Sequence, residues 1–150
     1  MTHPLPPDWL PTLARIESSN RPYVKAKTSS ASGLYQFTRT TWEGLGGKWG
    51  LNPDEAFGGL FPSEEEQSQR ATTLSETNAG FLVANELEVS SANLYACHFL
   101  GPVRGCSILR APDEDPVEDH VAASAVLANP FLKPMTVADF KAWLTQKVTP

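Results

Sequence analysis

Asp8-Trp9-Leu10-Pro11-Thr12-Leu13-Ala14-Arg15-Ile16-Glu17-Ser18-Ser19-Asn20-Arg21-Pro22 is the stretch on which the architecture turns. Trp9, Leu10, Leu13 and Ile16 recur at helical spacing and give one apolar stripe. Asp8 is a residue type that caps helix starts, and Pro11 falls in the first turn, where a missing N–H is tolerated. Pro22 disfavours helix at the residue before it, so the helix ends near Glu17–Asn20. From Ser18 to Leu34 the periodicity is lost among Ser, Thr and Gly, which reads as a loop. One short hairpin within 21–37 is the only room for β structure.

The same pattern repeats downstream. A second helix runs from Thr38 through Thr41, Trp42 and Leu45 and stops at Gly46-Gly47; residues 50–62 are irregular. Ser63 with Glu66 forms a capping box that opens a long helix reaching toward Glu88, with Ala71, Leu74, Phe81, Leu82 and Leu87 on its apolar face. Ser90 or Ser91 starts a helix through Leu94, Tyr95 and Phe99 that Gly101-Pro102 ends. Asp115-Pro116-Val117-Glu118 opens one to about Ala128, and Thr136 with Asp139 opens the last, through Phe140, Trp143 and Leu144. No run alternates at the two-residue period of a sheet. The fold class is mainly α, with at most a small β-hairpin, and residues 1–150 read as one domain, since neither a repeat nor a linker divides them.

Composition narrows the function. The net charge is −5, from 12 basic and 17 acidic residues, and no Lys/Arg cluster stands out along the chain. Nucleic-acid binding is disfavoured. No apolar run is long enough to span a bilayer, so no membrane insertion is expected. The N-terminus lacks the basic start and apolar core of a secretory signal, so synthesis and retention in the cytoplasm are expected unless something else exports the chain. Cys97 and Cys106 are the only thiols. Buried free thiols are the default reading, with a bond between them as the alternative. His3, His98 and His120 are widely spaced, so no metal site and no cofactor are expected.

The chemistry concentrates between Glu17 and Trp42. A carboxylate at the C-terminal end of an amphipathic helix, beside apolar Ile16, is pushed toward keeping its proton, as a general acid requires. The loop of small residues that follows brings backbone close to a ligand at Gly33. Tyr35, Gln36 and Trp42 then offer aromatic faces beside amides, a combination suited to saccharides.

Glu17-Ser18-Ser19-Asn20-Arg21-Pro22, followed at Gly33-Leu34-Tyr35-Gln36 by a Gly-Leu-x-Gln signature, resembles the soluble-lytic-transglycosylase-like domain of peptidoglycan-cleaving enzymes. Glu17 and Gln36 are 19 residues apart, within about one residue of the family's spacing. The run Thr28-Ser29-Ser30-Ala31-Ser32-Gly33-Leu34-Tyr35-Gln36-Phe37 with Trp42 is similar to phage-type members. So are Leu94-Tyr95-Ala96-Cys97-His98-Phe99-Leu100-Gly101 and Ala128-Asn129-Pro130. The resemblance touches roughly residues 8–145, and only the first two motifs are specific.

The resemblance implies a lysozyme-like fold and a single catalytic carboxylate, Glu17. This residue would protonate the leaving glycosidic oxygen and then, as carboxylate, take the proton of the C6 hydroxyl, closing a 1,6-anhydro ring. No second carboxylate is required, an exception to the paired-carboxylate scheme. Ser29, Ser30, Gly33, Tyr35, Gln36 and Tyr95 would bind substrate. The implied partner is the peptidoglycan glycan strand, cut by a monomer in the periplasm after delivery by a holin, a virion or a secretion machine. A hydrolytic muramidase on the same fold, and a catalytically idle wall-binding component, are the alternatives.

Three departures from the family pattern stand out. Ser19 replaces the usual Gly, Tyr35 replaces Met, and the later Ala-Tyr-Asn element is missing, with Tyr95 favoured over the His98-Phe99 pair as its stand-in. Trp42, Trp49 and Trp143 read as core residues. Glu43 and Glu55 lie outside both motifs, which leaves little case for a second carboxylate.

Overall fold

The computed structural model describes residues 3–150. Among them the protein is mainly α, with seven α-helices and only isolated β-bridges. These helices are α1 (Trp9–Ser18), α2 (Arg39–Gly44), α3 (Glu64–Ala84), α4 (Ser91–Leu100), α5 (Pro102–Arg110), α6 (Ala123–Ala128) and α7 (Val137–Val148). None of the described helices is long and apolar enough to cross a membrane. Although the sequence shows no linker, the described residues resolve into two compact units, Pro7–Leu74 and Ser75–Pro150, the latter with residues 3–6. The boundary falls inside α3.

In the unit Pro7–Leu74, α1 buries Trp9 and Leu13 from its apolar stripe and half-buries Leu10 and Ile16. Asp8 occupies the N-cap position but makes no side-chain cap bond, so its expected capping role is not realised. Packing of the buried face holds this short helix instead, as is usual at ten residues. Thr38 does cap α2, accepting from the Thr41 N–H. The buried Trp42 ring of α2 packs at 5.0 Å from Phe37 and 4.8 Å from Phe57, and its indole N–H donates to the Lys48 carbonyl at 3.0 Å. These residues form the core beneath the 24–37 loop.

The loop contains the expected trace of β structure. Ser32 bridges Lys25 on one side and Phe37 on the other, with the Gly33 N–H on the Val24 carbonyl at 2.9 Å.

The last turn of α1 settles what Ser19 does. Ser19 (φ 54°) and Asn20 (φ 63°) are both left-handed, and their N–H groups return to Arg15 and Ala14. This is the helix end that glycine normally closes. Ser19 therefore makes a glycine-type turn at a conformational cost, and its neighbour Ser18 ties the turn down by accepting the Arg21 N–H at 3.2 Å. Replacing Ser19 by Gly removes a Cβ from the left-handed region, worth roughly 1 kcal/mol. Ser19→Gly is expected to raise the urea midpoint accordingly; a lower midpoint would show that the hydroxyl matters more than the backbone.

α3 departs from its expected face. Ser63 accepts the Glu66 N–H at 3.0 Å, as the capping box requires, but the Glu66 carboxylate pairs with Arg70 at 2.9 Å. The buried positions are Gln67, Ala71, Ser75, Asn78, Ala79 and Leu82, whereas Phe81 is exposed and Leu74 half-buried. The helix stops at Ala84, with Glu86 left-handed at φ 59°.

In the unit Ser75–Pro150, α5 is a helix that the sequence reading missed. Gly101 (φ 84°) ends α4 and at the same time precedes Pro102, which stands in the first turn of α5, where proline is favoured. α4 and α5 cross at Gly105, where an added Cβ would lie 2.9 Å from Cys97 Cα. The expected helix from 115 to 128 is broken into a 3₁₀ turn at Val117–Asp119 and α6. The cause is pairing with the start of α7: Val117 N–H donates to the Met135 carbonyl at 2.9 Å, and Val137 N–H to the Asp115 carbonyl at 2.8 Å. The Thr136/Asp139 capping box is complete. Tyr95, Phe99, Phe131, Phe140 and Trp143 form a continuous aromatic cluster.

Cys97 and Cys106 are free and buried. Burial, and then the neighbouring Cys106, push the Cys97 thiol up to about 12 from 9.0. An unfolded thiol ionises near 9 while the folded one keeps its proton, so the contribution is fully present below pH 9 and lost as pH rises toward 12. Stability measured by urea unfolding is expected to fall across that interval more steeply than in Cys97→Ala. Equal slopes would remove Cys97 as the cause.

Candidate functional site

Glu17 stands in the last turn of α1, half-buried, immediately ahead of the left-handed Ser19-Asn20 turn. Its position on the helix is the one expected from the sequence. The Gly33–Gln36 segment is built around a second set of constraints. Gly33 (φ 81°) is buried, and a Cβ there would run into the Gln67 side chain and lie 2.6 Å from the Phe57 ring. Packing against Gln67 and Phe57 therefore demands this glycine. Gln36 is left-handed at φ 53°, and its side-chain NH₂ donates to the Gly33 carbonyl at 3.0 Å and the Val24 carbonyl at 3.3 Å. With both hydrogens engaged, Gln36 has only its carbonyl oxygen to offer a ligand, as an acceptor.

A residue with no sequence signal organises this loop. Gln67 of α3 is fully buried; its carbonyl accepts the Leu34 N–H at 2.9 Å, and its NH₂ donates to the carbonyls of Pro22 at 3.0 Å and Pro62 at 3.2 Å. One side chain thus ties together the segments after α1, around the Gly-Leu-Tyr-Gln turn and before α3. Ser32 does a similar job, donating to the Ser30 carbonyl at 2.8 Å and accepting the buried Phe57 N–H at 3.0 Å.

Ser29 and Ser30 line a cavity of about 480 Å³ together with Lys25, Lys27, Arg39, Trp49 and Glu55. The Ser29 hydroxyl accepts the Ala31 N–H at 3.2 Å and that of Ser30 the Arg39 N–H at 3.0 Å. Each hydroxyl keeps its own O–H to donate. Three cations converge here although no basic cluster is visible along the chain. Trp49, expected in the core, is half-buried and lines the cavity, with its ring 5.6 Å from Phe57. Glu17 is not among the residues lining this cavity.

Tyr35 goes elsewhere. It is 4% exposed, its hydroxyl shares a 2.9 Å hydrogen bond with Ser68, and it borders a separate cavity with Leu10, Ala14 and Asn20. Of the two spare carboxylates, Glu43 pairs with Arg39 at 3.1 Å. Tyr95 belongs to the other compact unit, on α4, 4% exposed and packed against His98, Phe99 and Trp143. The structure thus brings Ser29 and Ser30 together with Trp49 and three cations, and links Gly33 and Gln36 through their shared turn.

No protein-family model matches the chain.

What the residues can do chemically follows from their types. A half-buried carboxylate at a helix C-terminus suits proton transfer, and a cavity edged by hydroxyls, cations and an indole face suits a polar, sugar-like ligand. No group of three or more His, Cys, Asp or Glu able to hold a metal ion occurs among the described residues.

Proposed function

We propose that the protein cleaves the glycan strands of bacterial peptidoglycan as a lytic transglycosylase with a lysozyme-like fold, Glu17 serving as acid and then as base. The observation that carries this reading is the helix end itself. Glu17 precedes a left-handed Ser19-Asn20 turn, so the chain keeps the glycine-type geometry of the Glu-Ser-Gly motif even though Ser19 has replaced the glycine. The mainly α architecture and the Gly33–Gln36 turn, closed by Gln36 on Gly33 and Val24, support the same reading.

In this scheme Glu17 gives its proton to the glycosidic oxygen between the muramic acid and its neighbour. The resulting carboxylate then takes the proton of the C6 hydroxyl as that oxygen closes on C1. Bond breaking and ring closure balance without water, so the product ends are one water lighter than hydrolysed ones. Purified peptidoglycan incubated with the protein should yield 1,6-anhydro-muramic ends by mass spectrometry. Ordinary reducing ends would assign a hydrolytic muramidase instead. Intact glycan after prolonged incubation would leave only the wall-binding component.

A further inference from the structure

We propose that the cavity lined by Lys25, Lys27, Arg39, Ser29, Ser30 and Trp49 is a subsite for a carboxylate carried on the glycan, supplied by the peptide stem of the wall. The proposal rests on the wall-glycan reading above and goes beyond it by assigning a charge-reading site away from Glu17. Three of the chain's 12 basic residues line this cavity against one lining carboxylate, Glu55, and Glu43 beside Arg39, a local excess of one positive charge in a protein whose net charge is −5. At physiological salt, charges separated by more than about 8 Å are screened, so an anionic group feels this local excess rather than the overall negative charge.

The donors are held by the fold. Lys25 Nζ donates to the carbonyls of Ala26 at 2.8 Å and Ser29 at 3.0 Å, which fixes its charge beside the loop and leaves one N–H. Arg39 spends its Nε on Glu43 and keeps four terminal N–H groups in a planar fork suited to a carboxylate. Lys27 is exposed at the rim. The Ser29 and Ser30 hydroxyls keep their own O–H donors, and the indole of Trp49 provides an apolar wall for a sugar or peptide face. A cavity of about 480 Å³ is of the size that holds a small ligand. A phosphate offers the same charge, so the source is decided by experiment.

The test titrates wild type and the double variant Lys27→Glu/Arg39→Glu, by calorimetry, with three ligands: a disaccharide tripeptide from the wall, the same molecule with its carboxylates amidated, and a glycerol phosphate oligomer. Wild type is expected to bind the carboxylate form about tenfold more tightly than the amidated form, with the advantage shrinking as salt rises. The double variant is expected to lose that advantage. Arg39→Gln, which only neutralises an exposed ion pair, is expected to lose part of it and guards against misfolding of the double variant. Equal affinity for the two muropeptides, an advantage that survives in both variants, no binding at all, or tighter binding of the phosphate oligomer would each overturn the proposal. Binding is measured without turnover, so a failure of glycan cleavage would count against the Glu17 reading alone.

Discussion

Glu17→Gln is expected to lower the release of muropeptides from purified peptidoglycan by at least about a hundredfold, the lower end of what a general acid–base group contributes. The change is nearly isosteric, and an amide retains hydrogen-bonding capacity at this half-buried position, so the melting temperature should stay close to that of wild type. The large effect follows from one carboxylate doing two jobs. It must hold a proton for the leaving oxygen and then accept one from the C6 hydroxyl, and a carboxamide does neither. Wild-type release by a correctly folded Glu17→Gln protein would remove Glu17 from the chemistry and with it the transglycosylase reading. Loss of release together with loss of folding would be separated by the melting curve.

The parts of the fold that could be read in the sequence were those with local causes. α1, α2 and α7 follow from periodic apolar residues and from stops or caps that act within four residues, and they stand where expected. α5 escaped because Gly101-Pro102 signals both an end and a beginning: the glycine closes α4, and the proline sits comfortably in the first turn of the next helix. The helix expected from 115 to 128 failed for a non-local reason, the pairing of Val117 with Met135 and of Val137 with Asp115. No window around residue 117 contains that information.

The candidate site divides the same way. Glu17, Gly33 and Gln36 were visible as a spaced motif, and the helix position of Glu17 follows from the α1 stripe. The reason for Gly33 was not visible, because the atoms that exclude a side chain there belong to Phe57 and Gln67, far along the chain. The cationic cavity was equally hidden. Lys25 and Lys27 are close in sequence but Arg39 is not, and the 24–37 fold-back with the start of α2 brings all three to one cavity. The Tyr35 hydroxyl bond to Ser68 was hidden too, since its partner stands 33 residues along the chain.

Gln67 is where the hidden part of the site has the largest expected consequence for stability. Gln67→Leu keeps most of the volume and removes every polar contact of this side chain, leaving the Leu34 N–H without its acceptor and the Pro22 carbonyl without that donor, while the Pro62 carbonyl keeps the Tyr23 hydroxyl. A buried group left unsatisfied costs about 1–3 kcal/mol. The Leu34 N–H is the costliest, because its bond is buried and water cannot replace it; the two carbonyls are only partly covered. The total expected is about 3 kcal/mol, or roughly a 10 °C fall in melting temperature for a chain of this size. Gln67→Glu retains an acceptor for Leu34 and, while protonated, offers one O–H to a single carbonyl, so it should lose only part of that stability when the carboxyl is protonated and more once it is charged and buried. A loss below about 1 kcal/mol in Gln67→Leu would mean that the loop finds other partners. The expected loss, with glycan cleavage falling before global unfolding, would make Gln67 the residue that positions the Gly33–Gln36 turn against the end of α1.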